Sequence, residues 1–182
     1  MGKQVYLVLM LFFSIAIAAP GDDIPMGSWL QAKEKVTQLQ LYVQDILSGP
    51  NPSNVQVASA NSTFTSPTLF GLVAVLDDPV RTEPNPDAEI VGRAQGLFAF
   101  ASLEEISLHF TFDLVFTGGE YNGSVLNIVG HNPYLHEYRE LSVVGGTGFF
   151  QLARGIIGVR TVSFNSSTGD AFFQYNITVL HY

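Results

Sequence analysis

The sequence predicts an all-β domain, an antiparallel meander of about eight strands that closes into a barrel around a central pocket. Three observations carry that expectation. Apolar and polar residues alternate with a period of two in segment after segment, separated by short clusters of Gly, Pro, Asn, Asp and Ser. No stretch keeps the helical period over a convincing length. The composition agrees: 47% of the 182 residues are hydrophobic and only 13% charged, with 17 glycines and 14 phenylalanines, a mix that suits pleated sheets and tight corners. A jelly-roll sandwich satisfies the same pattern and is the alternative architecture.

Residues 1–18 read as a secretory signal peptide. Lys3 gives a positive start, Val5 to Ile17 is apolar, and Ala16-Ile17-Ala18 offers the small residues a signal peptidase reads. Residues 19–35 hold Pro20, Pro25 and Gly27 without alternation and are expected to form a loose arm, with Trp29 available to dock it. The domain over 36–182 opens on Leu39, Leu41, Val43 and Asp45, which alternate with Gln38, Gln40, Tyr42 and Gln44. Asp45 therefore falls on the apolar face. Gly49-Pro50-Asn51-Pro52 turns the chain into a short strand at Val55 and Val57, and a polar loop runs from Asn61 to Thr68.

The apolar run from Gly71 to Leu76 is expected to end in a turn at Asp77-Asp78-Pro79, the carboxylates capping their own backbone. The other reading of those carboxylates is a shared proton or a metal, with neighbouring side chains on opposite faces of a strand. Arg81 to Asp87 is a Pro-rich rim loop. From Ile90, the set Gly92, Ala94, Gly96, Phe98 and Phe100 tapers from small to aromatic along one face, as the inside of a barrel requires. Ile106 to Phe116 is the clearest amphipathic strand.

A hairpin turn at Thr117-Gly118-Gly119-Glu120 leads to a strand over Tyr121 to Gly130, and Asn132-Pro133 opens a loop ending at Arg139. Two further apolar arms, within Glu140 to Gly158, meet at a strand corner placed at Gly145-Gly146-Thr147-Gly148. The last two strands, Ile156 to Phe164 and Ala171 to Tyr182, are joined by a turn at Asn165 to Asp170. Phe173, Tyr175, Ile177 and Val179 share one face of the final strand.

Several chemistries are excluded or weakened. The formal net charge of −8 argues against nucleic acid as a partner. The absence of cysteine removes disulfides and thiolate metal sites. His109, His131, His136 and His181 lack ligand spacing with a supporting acid, so no metal is expected. No nucleophile elbow, phosphate-cradling loop or dinucleotide fingerprint occurs, and no second apolar span remains once the signal is cleaved. Sequons at Asn61, Asn122, Asn165 and Asn176 point to N-glycosylation in an extracellular setting.

The groups left for chemistry are few. Asp45 on an apolar face is either a desolvated acid/base group or a strand end in water. Phe98, Phe100, Phe110, Phe112 and Phe173 serve as core or as the wall of an aromatic pocket. Arg139 and Arg154, bracketing the glycine corner, need anionic or carbonyl partners. For Arg154 a structural ion pair is expected.

Leu76-Asp77-Asp78-Pro79, Gly92-Arg93-Ala94-Gln95-Gly96, Tyr121-Asn122-Gly123-Ser124, Arg139-Glu140, Val143-Val144-Gly145-Gly146-Thr147-Gly148 and Leu152-Ala153-Arg154-Gly155 resemble, in order and spacing, the motifs of plant dirigent proteins. The resemblance runs from about Val36 to Tyr182. It implies an eight-stranded antiparallel barrel, secretion to the apoplast, a homodimer or homotrimer, and no cofactor. It also implies that an external oxidase of the laccase or peroxidase type makes phenoxy radicals, and that the pocket sets the face on which two monolignol radicals, such as those of coniferyl alcohol, couple in lignan formation. Acid/base closure of a quinone methide is a second task of that pocket.

By the same resemblance Asp45 matches a first-strand catalytic Asp and Arg139 a pocket arginine, with Asp45 as its candidate partner. Asn132 stands where a second Asp lies, seven residues before that arginine, and Phe98 and Phe100 stand where two pocket tyrosines lie. Phenolic donors are thus expected to be missing, and Asp78 joins the pocket set. The alternatives within the resemblance are a cyclase or dehydratase of a phenolic substrate that works without an oxidase, and a defence-related binding protein without catalysis.

Overall fold

The structure of the protein, a computed structural model, describes residues 32–182. The signal peptide expected over 1–18 and most of the arm over 19–35, Trp29 included, lie outside the described residues. Nine strands follow in order: β1 (Lys35–Asp45), β2 (Asn54–Ala58), β3 (Val73–Arg81), β4 (Ile90–Phe100), β5 (Leu108–Phe116), β6 (Val125–Asn132), β7 (Tyr138–Thr147), β8 (Arg154–Phe164) and β9 (Ala171–His181). All pairings are antiparallel. From β3 each strand pairs with the next through to β9, which pairs with β1 over its full length from Lys35↔His181 to Asp45↔Ala171.

The ring closes where β1 returns to β3 through Tyr42↔Arg81 and Val43↔Val80. This closure makes an eight-stranded barrel and excludes the sandwich. The short β2 is additional: it lies on β3 from Asn54↔Leu76 to Ala58↔Val73, along the part of β3 that β1 does not reach. Two strands thus share one edge of β3.

Period-two alternation sets the inside. Leu41, Val43, Ala94, Phe112, Leu114, Leu126, Ile128, Leu141, Ile157, Val159, Ile177 and Val179 fill the interior. Gly96 belongs to the same inward row, and a Cβ there would meet the Phe112 Cα at 2.5 Å, so the small-to-aromatic taper reflects close approach of β4 and β5. One end is sealed by aromatics. Phe150, fully buried, packs against Phe116 and Tyr121 with ring centres 5.4 and 5.1 Å away.

His181, one of the histidines without ligand spacing, is fully buried in that seal. Its Nε2 bonds the Thr37 Oγ1 at 2.9 Å, and its ring lies 4.9 Å from that of Phe149. The final strand is paired to its end, which is what carries a near-terminal histidine inside.

Three local expectations are corrected. Asp77-Asp78-Pro79 is not a turn but the middle of β3, because β4 pairs with it residue by residue and Pro79 sits where the ring needs few donors. Gly145, Gly146 and Thr147 stay in β7; the corner is the 3-10 turn Gly148–Phe150, which Gly148 enters with φ of 64°. The pairing with β6 skips Val144 opposite Asn127 and Ile128, a bulge that bends β7 toward the corner. Tyr121 lies in a 3-10 turn and β6 starts only at Val125.

Candidate functional site

The end of the barrel opposite the aromatic seal holds a cavity of about 620 Å³. Apolar walls come from Leu72 and Leu76, and aromatic ones from Phe98, Phe100, Phe110 and Phe173. Phe98 stands edge-on to both Phe100 and Phe110, at 6.0 and 6.1 Å. Asp45, Asp78, Asn132 and Arg139 reach the same cavity, so all six pocket candidates converge. Strand alternation brings them there.

Asp45 and Asp78 face one another by register. Val43 pairs with Val80, and two residues on along each inward face stand Asp45 and Asp78, just past the point where β1 and β3 part. Asp78 is 4% exposed and accepts a hydrogen bond of 2.5 Å from the Ser53 Oγ, the residue that opens the way to β2. Asp77 points outward, where Arg93 Nε donates to it at 2.5 Å. The doublet therefore splits across the sheet, one carboxyl for the surface and one for the cavity.

Burial pushes both inner carboxyls up. Asp45 is raised to about 6 by desolvation, with the Asn54 side chain pulling it down and the Asp170 carboxylate adding to the rise. Asp78 is raised to about 8 by desolvation first and by the charge of Asp45 second, against the opposing bond from Ser53. Between those values the pair holds one proton. Such a pair offers a neutral acid and a carboxylate base side by side.

Arg139 does not meet Asp45, and the expected ion pair is corrected. The guanidinium is 2% exposed, and its Nη1 donates to the Tyr134 carbonyl oxygen at 2.6 Å and to the Thr161 Oγ1 at 3.1 Å. Its carbon lies 5.4 Å from the centre of the Phe173 ring. Register explains the miss: Arg139 pairs with Val159 on β8, away from β1, so the nearest partners are on β8 and the β6–β7 loop. Desolvation lowers its affinity for the proton. Arg154 forms the structural ion pair expected of it, with Glu34 at 2.5 Å.

Four buried polar atoms along this cavity have no hydrogen-bond partner among the described residues: Asp45 Oδ1, Asn132 Oδ1, Arg139 Nε and Arg139 Nη2. Phenolic groups, expected to be missing, are present. Tyr175 and Tyr134 line the cavity, and burial and the Asp78 carboxylate raise the Tyr175 hydroxyl far above its ordinary value. Tyr175 was legible as an inward residue between Phe173 and Ile177; Tyr134 sits in a loop whose sequence carries no periodic signal.

Asn61, Asn122, Asn165 and Asn176 are all exposed. Among the described residues no group of three or more His, Cys, Asp or Glu is placed to hold a metal ion. His131 and His136 both approach Glu105, at 3.4 and 3.7 Å, on the outer rim.

The family model described as "Dirigent-like protein" matches residues 36–180. Dirigent protein 21 of Arabidopsis thaliana is 43% identical over 187 residues, spanning 98% of this chain and 99% of its own. Pterocarpan synthase 1 of Glycine max is 35% identical over 186 residues, with all of both chains covered. Among solved structures, that of the pterocarpan synthase dirigent protein GePTS1 is 40% identical and superposes with a TM-score of 0.77 over 83% of this chain and 87% of that one.

Proposed function

The chain belongs to the dirigent family, and on that premise we propose that its cavity closes a ring in a phenolic substrate by acid/base chemistry, without oxidation. The observation that carries this reading is the Asp45–Asp78 pair, which holds one proton between about 6 and about 8. A guide that only positions radicals needs a shaped wall; a buried pair tuned in this way moves protons.

In the step, Asp78 gives its proton to a departing benzylic hydroxyl, which leaves as water. Asp45 takes the phenolic proton, so that a quinone methide forms. A second hydroxyl of the substrate then adds to the methide carbon and passes its proton to Asp78, while Asp45 returns its proton to the methide oxygen, which becomes a phenol again. One water is lost and no electron is transferred. The aromatic walls hold the intermediate on one face and exclude water from the methide carbon. Likeness to pterocarpan synthases supports an isoflavanol as the first substrate to try.

The test is chiral chromatography of a 2′-hydroxyisoflavanol incubated with the protein and no oxidant. One enantiomer of the cyclised product is expected, with the rate falling above about pH 8 as Asp78 loses its proton. Asp78→Asn is expected to slow turnover by roughly a hundredfold, the contribution of a positioned general acid. Turnover unchanged in that variant would remove the acid/base role.

A second reading is stereoselective coupling of phenoxy radicals supplied by a separate oxidase. It is favoured by the 620 Å³ of largely aromatic cavity, room for two phenolic rings at once. Coniferyl alcohol treated with a one-electron oxidant then gives a racemic dimer alone and an enriched one with the protein. Secretion, N-glycosylation at the four exposed asparagines and assembly into a dimer or trimer belong to the same proposal. An endoglycosidase mass shift and light scattering on the protein recovered from plant medium check them.

A further inference from the structure

Arg139 is the group the acid/base reading leaves unused. Its surroundings are unusual for a buried arginine. Arg93 and Arg154 have carboxylate partners on the surface, whereas Arg139, 2% exposed, has none within ion-pair distance among the described residues. A buried cation without a counter-charge is costly, and a carboxylate is its natural complement.

The pattern of its hydrogen bonds narrows the complement further. Nη1 is occupied by Tyr134 and Thr161, which fixes the plane of the guanidinium. Nε and Nη2, which lie together along one side of that plane, are both without partners among the described residues. Two parallel N–H groups on one edge are the fork that receives the two oxygens of a carboxylate. A neutral hydroxyl fills only one of them.

Asn132 lines the same cavity from the last position of β6, and as an amide it brings no negative charge there, where a carboxylate side chain would add one. Its buried Oδ1 has no hydrogen-bond partner among the described residues. Around these groups stand Phe98, Phe100, Phe110 and Phe173, which fit an aromatic body.

We infer that the cavity selects a phenolic ligand that carries a carboxylate, held by the free edge of Arg139, with Asn132 leaving that charge available. The inference rests on the phenolic reading of the cavity and names the class of compound within it. Hydroxycinnamic acids, which lack the benzylic hydroxyl of a substrate, are the simplest phenolic carboxylates and serve as binding probes for that class.

The titratable groups lining the cavity near Arg139 are Asp45 on β1, Asp78 on β3, Tyr175 on β9, and Tyr134, His136 and Glu137 in the β6–β7 loop. Of these Asp45 sets the trend: as pH falls through about 6 it takes up a proton and stops repelling an anionic ligand. Affinity for the acid is therefore expected to rise from about pH 7 to about pH 5, where a carboxylic ligand is still largely ionised.

The experiment is isothermal titration of the purified protein with 4-hydroxycinnamic acid and with 4-hydroxycinnamyl alcohol, which differ only at the terminal group. The acid is expected to bind about tenfold tighter or more, the scale of a charge-assisted bidentate contact. Arg139→Gln and Asn132→Asp are each expected to erase that preference, and Arg139→Lys to restore it only in part. Thermal melts identify any variant that fails to fold, and Asn132→Asp, which keeps the shape of the side chain, then decides. Equal affinity for acid and alcohol, a preference for the alcohol, or binding of neither would overturn the inference. Loss of turnover in Asp78→Asn with no preference for the acid would sink the ligand class alone; an intact preference with turnover unchanged in Asp78→Asn would sink the catalytic reading alone.

Discussion

Asp78 keeps its proton to about pH 8 in the folded chain, against an ordinary value of 3.8, because its carboxyl is buried and faces Asp45. Stability follows from that difference. Between the two values the folded chain binds more protons than the unfolded one, so the free energy of unfolding falls as pH rises through the window. Asp78→Asn removes this loss and retains an oxygen to accept from Ser53. The variant is expected to melt above the parent near pH 9 and to converge on it toward pH 4, as read by calorimetry. Asp45→Asn takes away the repelling charge but not the burial, so the Asp78 carboxyl should lose its proton below about pH 8 yet stay above the ordinary carboxylate range; a melting-against-pH curve that keeps its inflection near 8 would refute the coupling.

The corner between β7 and β8 shows what an element contributes. Phe150 is driven into the seal because Gly148, in the left-handed region, reverses the chain there and Ser124 Oγ accepts from the Phe149 amide at 3.0 Å. Phe150→Ala is expected to cost about 3–5 kcal/mol in chemical denaturation, the price of an emptied aromatic site. Beyond the corner, Gly155 is the second residue of β8, and a Cβ there would meet the Val179 Cα at 2.9 Å on the adjacent strand. Gly155→Ala should destabilise by about 1–3 kcal/mol through backbone displacement, measured in the same titration. A glycine motif first legible as one corner thus has two roles: Gly148 turns the chain, while Gly155 lets β8 and β9 close up.

At the scale of the whole barrel the seams are unequal. β1 joins β9 through eleven paired positions but joins β3 through only two, with Pro79 beside them unable to donate. The paired carboxyls stand just past this short seam and line the cavity. Hydrogen exchange is expected to be fastest, among barrel strands, at the β1–β3 junction and slowest along β1–β9; a uniform ring would contradict a site built at the seam. The barrel as a whole was legible in the sequence, since alternation names the inward residues of β1, β4, β5 and β9 without reference to any partner. Asp45, Phe98 and Phe100 were legible as inward for the same reason. Asp78 was hidden because Asp-Asp-Pro has the local chemistry of a turn, and only pairing with β4 holds it extended.

The sequence by itself determined which side chains face in, because the pleat has a period of two and depends only on neighbours along the chain. It determined the family as well, through motifs whose order survives without contacts. The tertiary structure alone decided which inward groups meet. Whether Asp45 faces Asp78 or Arg139 is a matter of register between strands far apart in sequence, and closure of the ring put it opposite Asp78. The same closure brought Tyr134 and Tyr175 to the cavity and left Arg139 without an acid partner among the described residues, because packing around a ring, and not position along the chain, sets the distance between charges.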